Sequence, residues 1–420
     1  MWILYQTVMA LTLAVAGPLM LLRRGRHYWP TLRGRLGSYG AAATAAPLWV
    51  HAVSVGETRV AAVLAGELPE RWPLIMTTVT PTGQAQAHAL CGRRATIAYL
   101  PFDLGFAVRR FFDRFRPRAL VLIEGDYWPL VLRYARRRAV PVVVVNGRVG
   151  DRSFQRLRRL PRIARLLLSP IEKFAMQTTD DRDRLLALGV EPSRIAVTGN
   201  LKFDAPVPPP LPAAEAVLLT AANGRPILIA GSTMPGEEEK VLAAFAAAGG
   251  GDAGLLVLAP RHPERWSEVA KTVTDAGLSV RRRSEQETAA TAASAPDVML
   301  LDTLGELAAL YRIAAGSFVG GTLVPTGGHN PLEPAIHGIA VAAGPAMDNF
   351  RHMAAAFDAA DAWRRVADVD ALGEFFRQAI AGNEQLRACA TRGRELVAAN
   401  RGAVERTLNA VKPVLDEAMS

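Results

Sequence analysis

The chain alternates between two kinds of apolar pattern. Short runs that are apolar at nearly every position occur at Leu48–Val53, Leu74–Val79, Thr96–Leu100, Ala119–Ile123, Val142–Val145 and Lys173–Gln177. Between them, apolar residues return with helical spacing. The same alternation resumes at Pro226–Ala230, Gly254–Ala259, Asp297–Leu301, Ala314–Gly320 and Ile339–Ala343. Strands apolar at every position are buried on both faces, and with helical crossovers they predict parallel sheets covered on both sides. The stretch Ala205-Pro-Val-Pro-Pro-Pro-Leu-Pro212 separates the two series. It cannot form a regular element and reads as a stiff linker. The pattern therefore predicts an α/β chain with two doubly wound, Rossmann-like domains, residues 23–207 and 208–420. The last helical stretch, from about Gly373, is expected to pack back on the first domain.

One segment breaks the alternation. Trp2 to Leu22 is uncharged and largely apolar, and Arg23, Arg24 and Arg26 follow it at once. About 20 residues in a helix cover a bilayer core. A cleaved signal peptide carries its charge ahead of the apolar run, whereas here all of it follows. The reading is a retained membrane-anchor helix, residues 1–22, either spanning or lying in the interface, with the rest of the chain on the cytoplasmic side.

Composition narrows the class. At 420 residues the chain exceeds one ordinary core. Half the residues are apolar and 21% are charged, which excludes a disordered chain. Cys91 and Cys389 form no pair with metal-site spacing, so a disulfide framework and a cysteine-built zinc site are excluded. Lys and Arg exceed Asp and Glu by 49 to 39, and the excess is uneven: residues 1–207 carry a net +16 and residues 208–420 a net −6. A basic half beside an anchor attracts anionic lipid headgroups, at about 1 kcal/mol per basic residue near the surface. No nucleic-acid-binding motif accompanies it, so nucleic acid is not expected as a partner.

The candidate chemistry sits where strands turn into helices. In His51-Ala-Val-Ser54-Val-Gly-Glu57 the spacing of Ser54 and Glu57 is that of a capping box; the same place presents a carboxylate to a cleft between the domains as a general base. Both readings stand. Thr80-Pro81 reads as a cap and first helical residue. Glu124-Gly-Asp126-Tyr-Trp-Pro129 ends a buried strand with two acids, and Lys202 stands in Gly199-Asn-Leu-Lys202-Phe-Asp204 before the linker. Asp181-Arg-Asp183 is a D-x-D, but it opens a helix with Thr179 as its cap, where acids are expected from the dipole; no metal site is assigned. Arg261, after a buried strand in Ala-Pro260-Arg261-His-Pro-Glu-Arg, is placed for a phosphate. The strongest signal is Gly320-Gly-Thr-Leu-Val-Pro-Thr-Gly-Gly-His-Asn330-Pro331-Leu332-Glu333, a glycine-rich loop opening a helix. It reads as a nucleotide site with helix N–H groups on phosphate and Glu333 on ribose hydroxyls. Neither a P-loop nor a G-x-G-x-x-G occurs, so kinase and dehydrogenase readings fall away.

The layout resembles the GT-B glycosyltransferases. The ordered set HAVSVGE, TTVTPTG, EGDYWP, NGRVGDRS, GNLKFD, GSTMPGEEE, APRHPER and GGHNPLEP further resembles the 3-deoxy-D-manno-oct-2-ulosonic acid (Kdo) transferases of lipopolysaccharide synthesis. That resemblance implies a CMP-Kdo donor, a lipid A precursor as acceptor, no cofactor, and attachment to the cytoplasmic face of the inner membrane. It implies Glu57 as base, with Glu124 and Lys202 stabilising the transition state. It places CMP on Pro260 and Arg261, on Leu304, Gly305 and Glu306, and on Asn330, Pro331, Leu332 and Glu333. Two departures stand out. The family's E-T-E-L-W-P-N is here Glu124-Gly-Asp126-Tyr-Trp-Pro-Leu130, which leaves Glu124 and Asp126 open as the stabilising acid. Met234 replaces a histidine in the motif that reads Gly-Ser-Thr-Met234-Pro-Gly-Glu-Glu. The expected reaction is metal-independent single displacement with inversion. The rivals are another GT-B transferase using a UDP-sugar on a lipid, a UDP-sugar epimerase of the same architecture, and a non-catalytic module that binds anionic lipid.

Overall fold

The computed structural model describes residues 2–40, 46–285 and 295–420. Contacts divide the chain into two compact units, Met1–Ala205 with Asn400–Ser420, and Pro206–Ala399. Each is built on a seven-stranded sheet in which every pairing is parallel.

The first sheet comprises β1 (Leu48–His51), β2 (Leu74–Thr78), β3 (Ala95–Tyr99), β4 (Ala119–Ile123), β5 (Val142–Gly147), β6 (Ile171–Met176) and β7 (Ile195–Val197), in the order β3-β2-β1-β4-β5-β6-β7. Alternation along β1 shows why both faces are covered. Leu48 and Val50 enter a core that includes Leu64 of the helix Val55–Glu67 and Val411 and Leu415 of the chain's last helix, Ala403–Met419. Trp49 points the other way, into Phe111, Phe112 and Phe115. The last helix is fastened through Asp204, whose carboxylate accepts the Gly402 and Val404 N–H groups at 2.7 and 2.6 Å.

The second sheet comprises β8 (Ile227–Thr233), β9 (Leu255–Pro260), β10 (Val280–Arg282), β11 (Val298–Leu300), β12 (Gly316–Val319), β13 (Ala340–Ala343) and β14 (Arg364–Arg365), in the order β10-β11-β9-β8-β12-β13-β14. Leu228 and Ala230 face one core, Ile227 and Ile229 the other. Both sheets reverse direction once, between β1 and β4 and between β8 and β12. In open parallel sheets, the loops at the carboxyl ends of the two strands flanking this reversal form the ligand crevice.

Eleven of the fourteen strands lie where the apolar runs predict them. The three others, β7, β10 and β14, sit at sheet edges, are two or three residues long and are only partly buried. Too little of them is hidden to leave an apolar run.

The N-terminal segment forms a helix, Trp2–Tyr28. Its first turns are tied to the first unit: the Tyr5 hydroxyl donates to Asp103 Oδ2 at 2.6 Å, Gln6 Oε1 accepts the Gly105 N–H at 3.1 Å, and the Arg133 guanidinium lies 4.3 Å from the Trp2 ring centre. Ile3, Val8, Leu11 and Val15 remain exposed. Among the described residues, however, no helix is long and apolar enough to cross a membrane, so the expectation of a spanning anchor is not carried forward. The side chains of Arg23, Arg24 and Arg26 lie outside the described set.

Candidate active site

The reversal point of the first sheet is lined with charge. Ser54 caps the helix Val55–Glu67, accepting the Glu57 N–H at 3.4 Å, and returns its hydroxyl to Glu57 Oε1 at 2.8 Å. Glu57 Oε2 accepts the Val53 N–H at 2.8 Å. Half of the capping box is formed, then: Ser54 caps the helix, while Glu57 reaches past it to the Val53 N–H, and that aims the carboxylate. Burial lifts the Glu57 carboxyl to about 7, against those two hydrogen bonds, with the charges of Glu124 and Asp126 adding to the rise. A carboxylate that titrates near neutrality, held in one orientation, suits proton abstraction.

Across the reversal, Glu124 follows β4 in the left-handed region, at φ +62°. Such a backbone is uncommon outside glycine and persists where surroundings hold it. Here the side chain is over-determined: Oε1 accepts Lys202 Nζ at 2.9 Å and Asn146 Nδ2 at 3.4 Å, and Oε2 lies 3.0 Å from Arg148 Nε. Asn146 also receives the Leu201 N–H at 3.0 Å, which fixes the turn carrying Lys202. Asp126, by contrast, is exposed. Partial desolvation and the Glu124 charge push its carboxyl upward, partly offset by Arg148. Of the two acids the sequence left open, Glu124 is the one built into the Lys202 pair.

A buried hydrogen-bond chain supports this loop. Trp128 Nε1 donates to His51 Nε2 at 3.1 Å. An indole only donates, so His51 carries its proton on Nδ1, which faces the Thr77 hydroxyl at 2.9 Å and the Thr77 carbonyl at 3.2 Å. Burial lowers the imidazole to about 4, and it stays neutral at physiological pH.

The reversal point of the second sheet is made of backbone. Gly320 follows β12 so closely against β8 that a Cβ there would lie 2.4 Å from the Ser232 carbonyl oxygen. Ser232 itself is left-handed, at φ +59°. Beside them the fully buried Glu237 accepts four backbone N–H groups: Gly321 at 2.6 Å, Leu323 at 2.9 Å, Thr322 at 3.0 Å and Met234 at 3.2 Å. Burial raises its carboxyl, and those four donors pull the other way. Its neighbour Glu238 receives both terminal nitrogens of Arg265, at 2.8 and 3.2 Å, and the Thr233 hydroxyl at 3.1 Å. These two acids bind the three loops into one platform.

On that platform, Pro260 ends β9 and is buried, and the Arg261 N–H donates to the Thr233 carbonyl at 3.0 Å while its side chain is exposed. The His329 ring lies where a Cβ on Gly321 would come within 3.1 Å of it. Burial, then the charges of Arg261 and His262, push His329 down to about 4, so its ring is neutral at physiological pH and the Arg261 guanidinium is the fixed charge suited to a phosphate. Leu304 is 79% exposed, Gly305 turns at φ +87°, and Glu306 is tied to Arg283 at 3.1 Å and the Thr303 hydroxyl at 2.7 Å. Asn330 accepts the Leu332 N–H at 3.2 Å, but the helix starts at Leu332 with Pro331 in the cap position, one residue later than expected. Pro331 and Leu332 are buried, and Glu333 lies near enough to Tyr311 to act on its phenol. The expected helix is only the four residues Leu332–Ala335. One turn carries little dipole, so anion binding here rests on the loop and Arg261.

The D-x-D acids are occupied elsewhere. Thr178, one residue before the expected cap, accepts the Asp181 N–H at 3.1 Å, and the buried Asp181 accepts the Val149 N–H at 2.7 Å. Asp183 pairs with Arg182 at the surface.

Comparison with known proteins fits this geometry. A family model described as 3-deoxy-D-manno-octulosonic-acid transferase (kdotransferase) matches residues 30–205. The 3-deoxy-D-manno-octulosonic acid transferase of Bordetella pertussis is 36% identical, covering 96% of this chain and 98% of its own; that of Haemophilus influenzae is 32% identical, covering 94% of each. This chain belongs to the Kdo transferase family. A glycosyltransferase from Rickettsia africae, 12% identical over 90% of this chain and all of its own, superposes with a TM-score of 0.57. That likeness shows the fold, which is GT-B-like as expected.

For a Kdo transferase chain, several of the best-built residues were quoted within motifs but given no task. Asn146 lies near the end of β5 and Arg148 follows it, and the same strand-end logic that singled out Glu124 applies to them. Glu237 and Glu238 look like ordinary first-turn acids; their partners lie 84 to 86 and 27 residues away. His51 and His329 were quoted within motifs but given no task.

Proposed function

We propose that the chain transfers Kdo from CMP-Kdo to a hydroxyl of a phosphorylated lipid A precursor in lipopolysaccharide inner-core synthesis, with inversion at the anomeric carbon. The observation that carries this reading is a buried, doubly oriented Glu57 carboxylate titrating near 7, beside a Glu124–Lys202 pair, in a chain of the Kdo transferase family. In one displacement the acceptor oxygen forms the new bond to the anomeric carbon, its proton passes to Glu57, and the bond to the CMP phosphate breaks with its electron pair leaving on the phosphate oxygen. Glu57 supplies the base. Lys202 supplies fixed positive charge beside the base, and Arg261 with the glycine-rich platform supplies it for the phosphate that departs as CMP. No step asks for a metal.

The helix Trp2–Tyr28 fits attachment to the cytoplasmic face of the inner membrane without crossing it. Its exposed Ile3, Val8, Leu11 and Val15 offer apolar surface to a bilayer interface, and the basic first unit favours anionic headgroups.

Mass spectrometry of products from the purified protein, CMP-Kdo and a tetra-acylated lipid A precursor tests the reading. Acceptor gaining the mass of one or more Kdo units supports it. Unchanged acceptor with CMP-Kdo, together with transfer from a UDP-sugar, contradicts it.

A further inference from the structure

Among the described residues, Arg35 is the most deeply buried arginine, and the proposed chemistry leaves it unused. It ends the short helix Leu32–Arg35 and is 7% exposed. Its Nε donates to the Thr31 hydroxyl at 3.0 Å, its Nη2 to the Val79 carbonyl, and its guanidinium carbon lies 4.9 Å from the Tyr99 ring centre and 5.7 Å from that of Phe102. Its own carbonyl accepts the Phe102 N–H at 2.8 Å. Among the described residues, no Asp or Glu pairs with it. The well-hidden Arg265 shows the usual solution, a bidentate carboxylate. Withdrawing a guanidinium from water without a counter-ion is costly, and burial depresses the Arg35 pKa.

The position of this cation is informative. Val79 accepts from Arg35 through its carbonyl and donates its own N–H to the Val53 carbonyl at 3.4 Å; the Val53 N–H donates to Glu57 at 2.8 Å. One backbone pairing, Val79 to Val53, therefore separates the residue that the guanidinium touches from the one that touches the candidate base. The next residue, Thr80, caps the helix Pro81–Cys91 by accepting the Gly83 N–H at 3.0 Å. Pro81 has no N–H, and the Thr82 N–H is left without a helical partner. Arg35 Nη1 makes no hydrogen bond to a described residue. It is not among the fully buried polar atoms without a hydrogen bond. It is thus the edge of the guanidinium that reaches solvent, at the turn packed against the Glu57 strand end.

We propose that Arg35, with the Val79–Gly83 turn, is an anion subsite that binds a phosphate group carried by the acceptor, so that the acceptor hydroxyl is held at Glu57. A phosphate supplies the missing counter-charge and matches the fork of the guanidinium, which a lysine does not. The proposal rests on the transfer reading above and adds the residue that recognises the acceptor.

A two-by-two comparison tests it on the full-length protein: wild type and Arg35→Gln, each with the lipid A precursor and with the same lipid after enzymatic removal of its phosphates. Dephosphorylation is expected to lower wild-type kcat/KM about 30-fold. Arg35→Gln should lose a similar factor on the phosphorylated acceptor, almost all of it in acceptor KM, with the CMP-Kdo KM unchanged. On the dephosphorylated acceptor the substitution should cost nothing further, and Arg35→Lys should fall between. A purely structural clamp instead slows both acceptors equally, and that result overturns the proposal. Inorganic phosphate should compete with the acceptor in wild type; competition by anionic phospholipid vesicles but not by phosphate would assign the subsite to bulk headgroups and likewise overturn it. Hydrogen exchange on wild type needs no variant: residues 31–35 and 79–84 should be protected by the phosphorylated acceptor alone, and equal protection by both lipids contradicts the proposal. Failure of wild type to transfer Kdo to either lipid would count against the transfer reading itself, while this exchange measurement still decides the subsite.

Discussion

The two sheets are wound alike, yet their reversal points are built from opposite materials. In the first, side chains carry the chemistry: Glu57 is held by Ser54 and Val53, and Glu124 nearby is held by Lys202 and Arg148. In the second, backbone carries it, and the most elaborate side chain, Glu237, is spent entirely on gripping four N–H groups. One winding therefore serves two tasks. A proton-transfer site needs titratable groups whose pKa values are set by burial and neighbours. A nucleotide platform needs close backbone approach, which glycine allows and buried acids brace.

Perturbing each half in turn sharpens this contrast. The largest effect belongs to Glu57→Gln, which keeps the capping geometry but removes the base. Turnover should fall about 10²- to 10⁴-fold, while thermal protection by CMP persists. Lys202→Met leaves Glu124 with Arg148 and Asn146, so the fold survives; kcat should drop about 100-fold, with little change in CMP affinity. On the other sheet, Glu237→Gln turns an acceptor of four N–H groups into a side chain that must point a donor at two of them. The second unit should lose about 3 kcal/mol of stability and its CMP affinity should fall with it, as denaturant titration and calorimetry with CMP will show. CMP, and not UDP, should raise the melting temperature of wild type; the reverse favours a UDP-sugar enzyme. The smallest effect is none at all: excess EDTA should leave turnover unchanged, because Asp181 is already engaged with Val149 and Thr178. Strict metal dependence would contradict the mechanism.

The sequence was most legible where burial is two-sided. Runs such as Ala119–Ile123 and Val142–Val145 are apolar throughout because both faces are packed, and they mark the central strands without ambiguity. Edge strands such as Arg364–Arg365 leave no such trace. At the sites, local spacing revealed what is local. Ser54 and Glu57 sit three residues apart, and the pair forms as expected. It did not reveal that the same turn orients a carboxylate titrating near 7, because that depends first on the burial of Glu57 and then on the charges of Glu124 and Asp126, more than sixty residues away along the chain. Glu237 shows the limit best. Its four donors lie in its own turn and in residues 321–323, and nothing in Pro-Gly-Glu-Glu-Glu distinguishes it from the acids beside it.

The pH dependence of turnover tests the central claim most directly. Glu57 must be ionised to take a proton, and burial places its titration at about 7. Wild-type kcat/KM should therefore fall close to tenfold per unit below that pH, and the residual activity of Glu57→Gln should show no such limb. A wild-type profile that is flat between pH 5 and 8 (a window of about three units around a neutral-range base), or an acid limb that survives in Glu57→Gln, would contradict the assignment of Glu57 as the base.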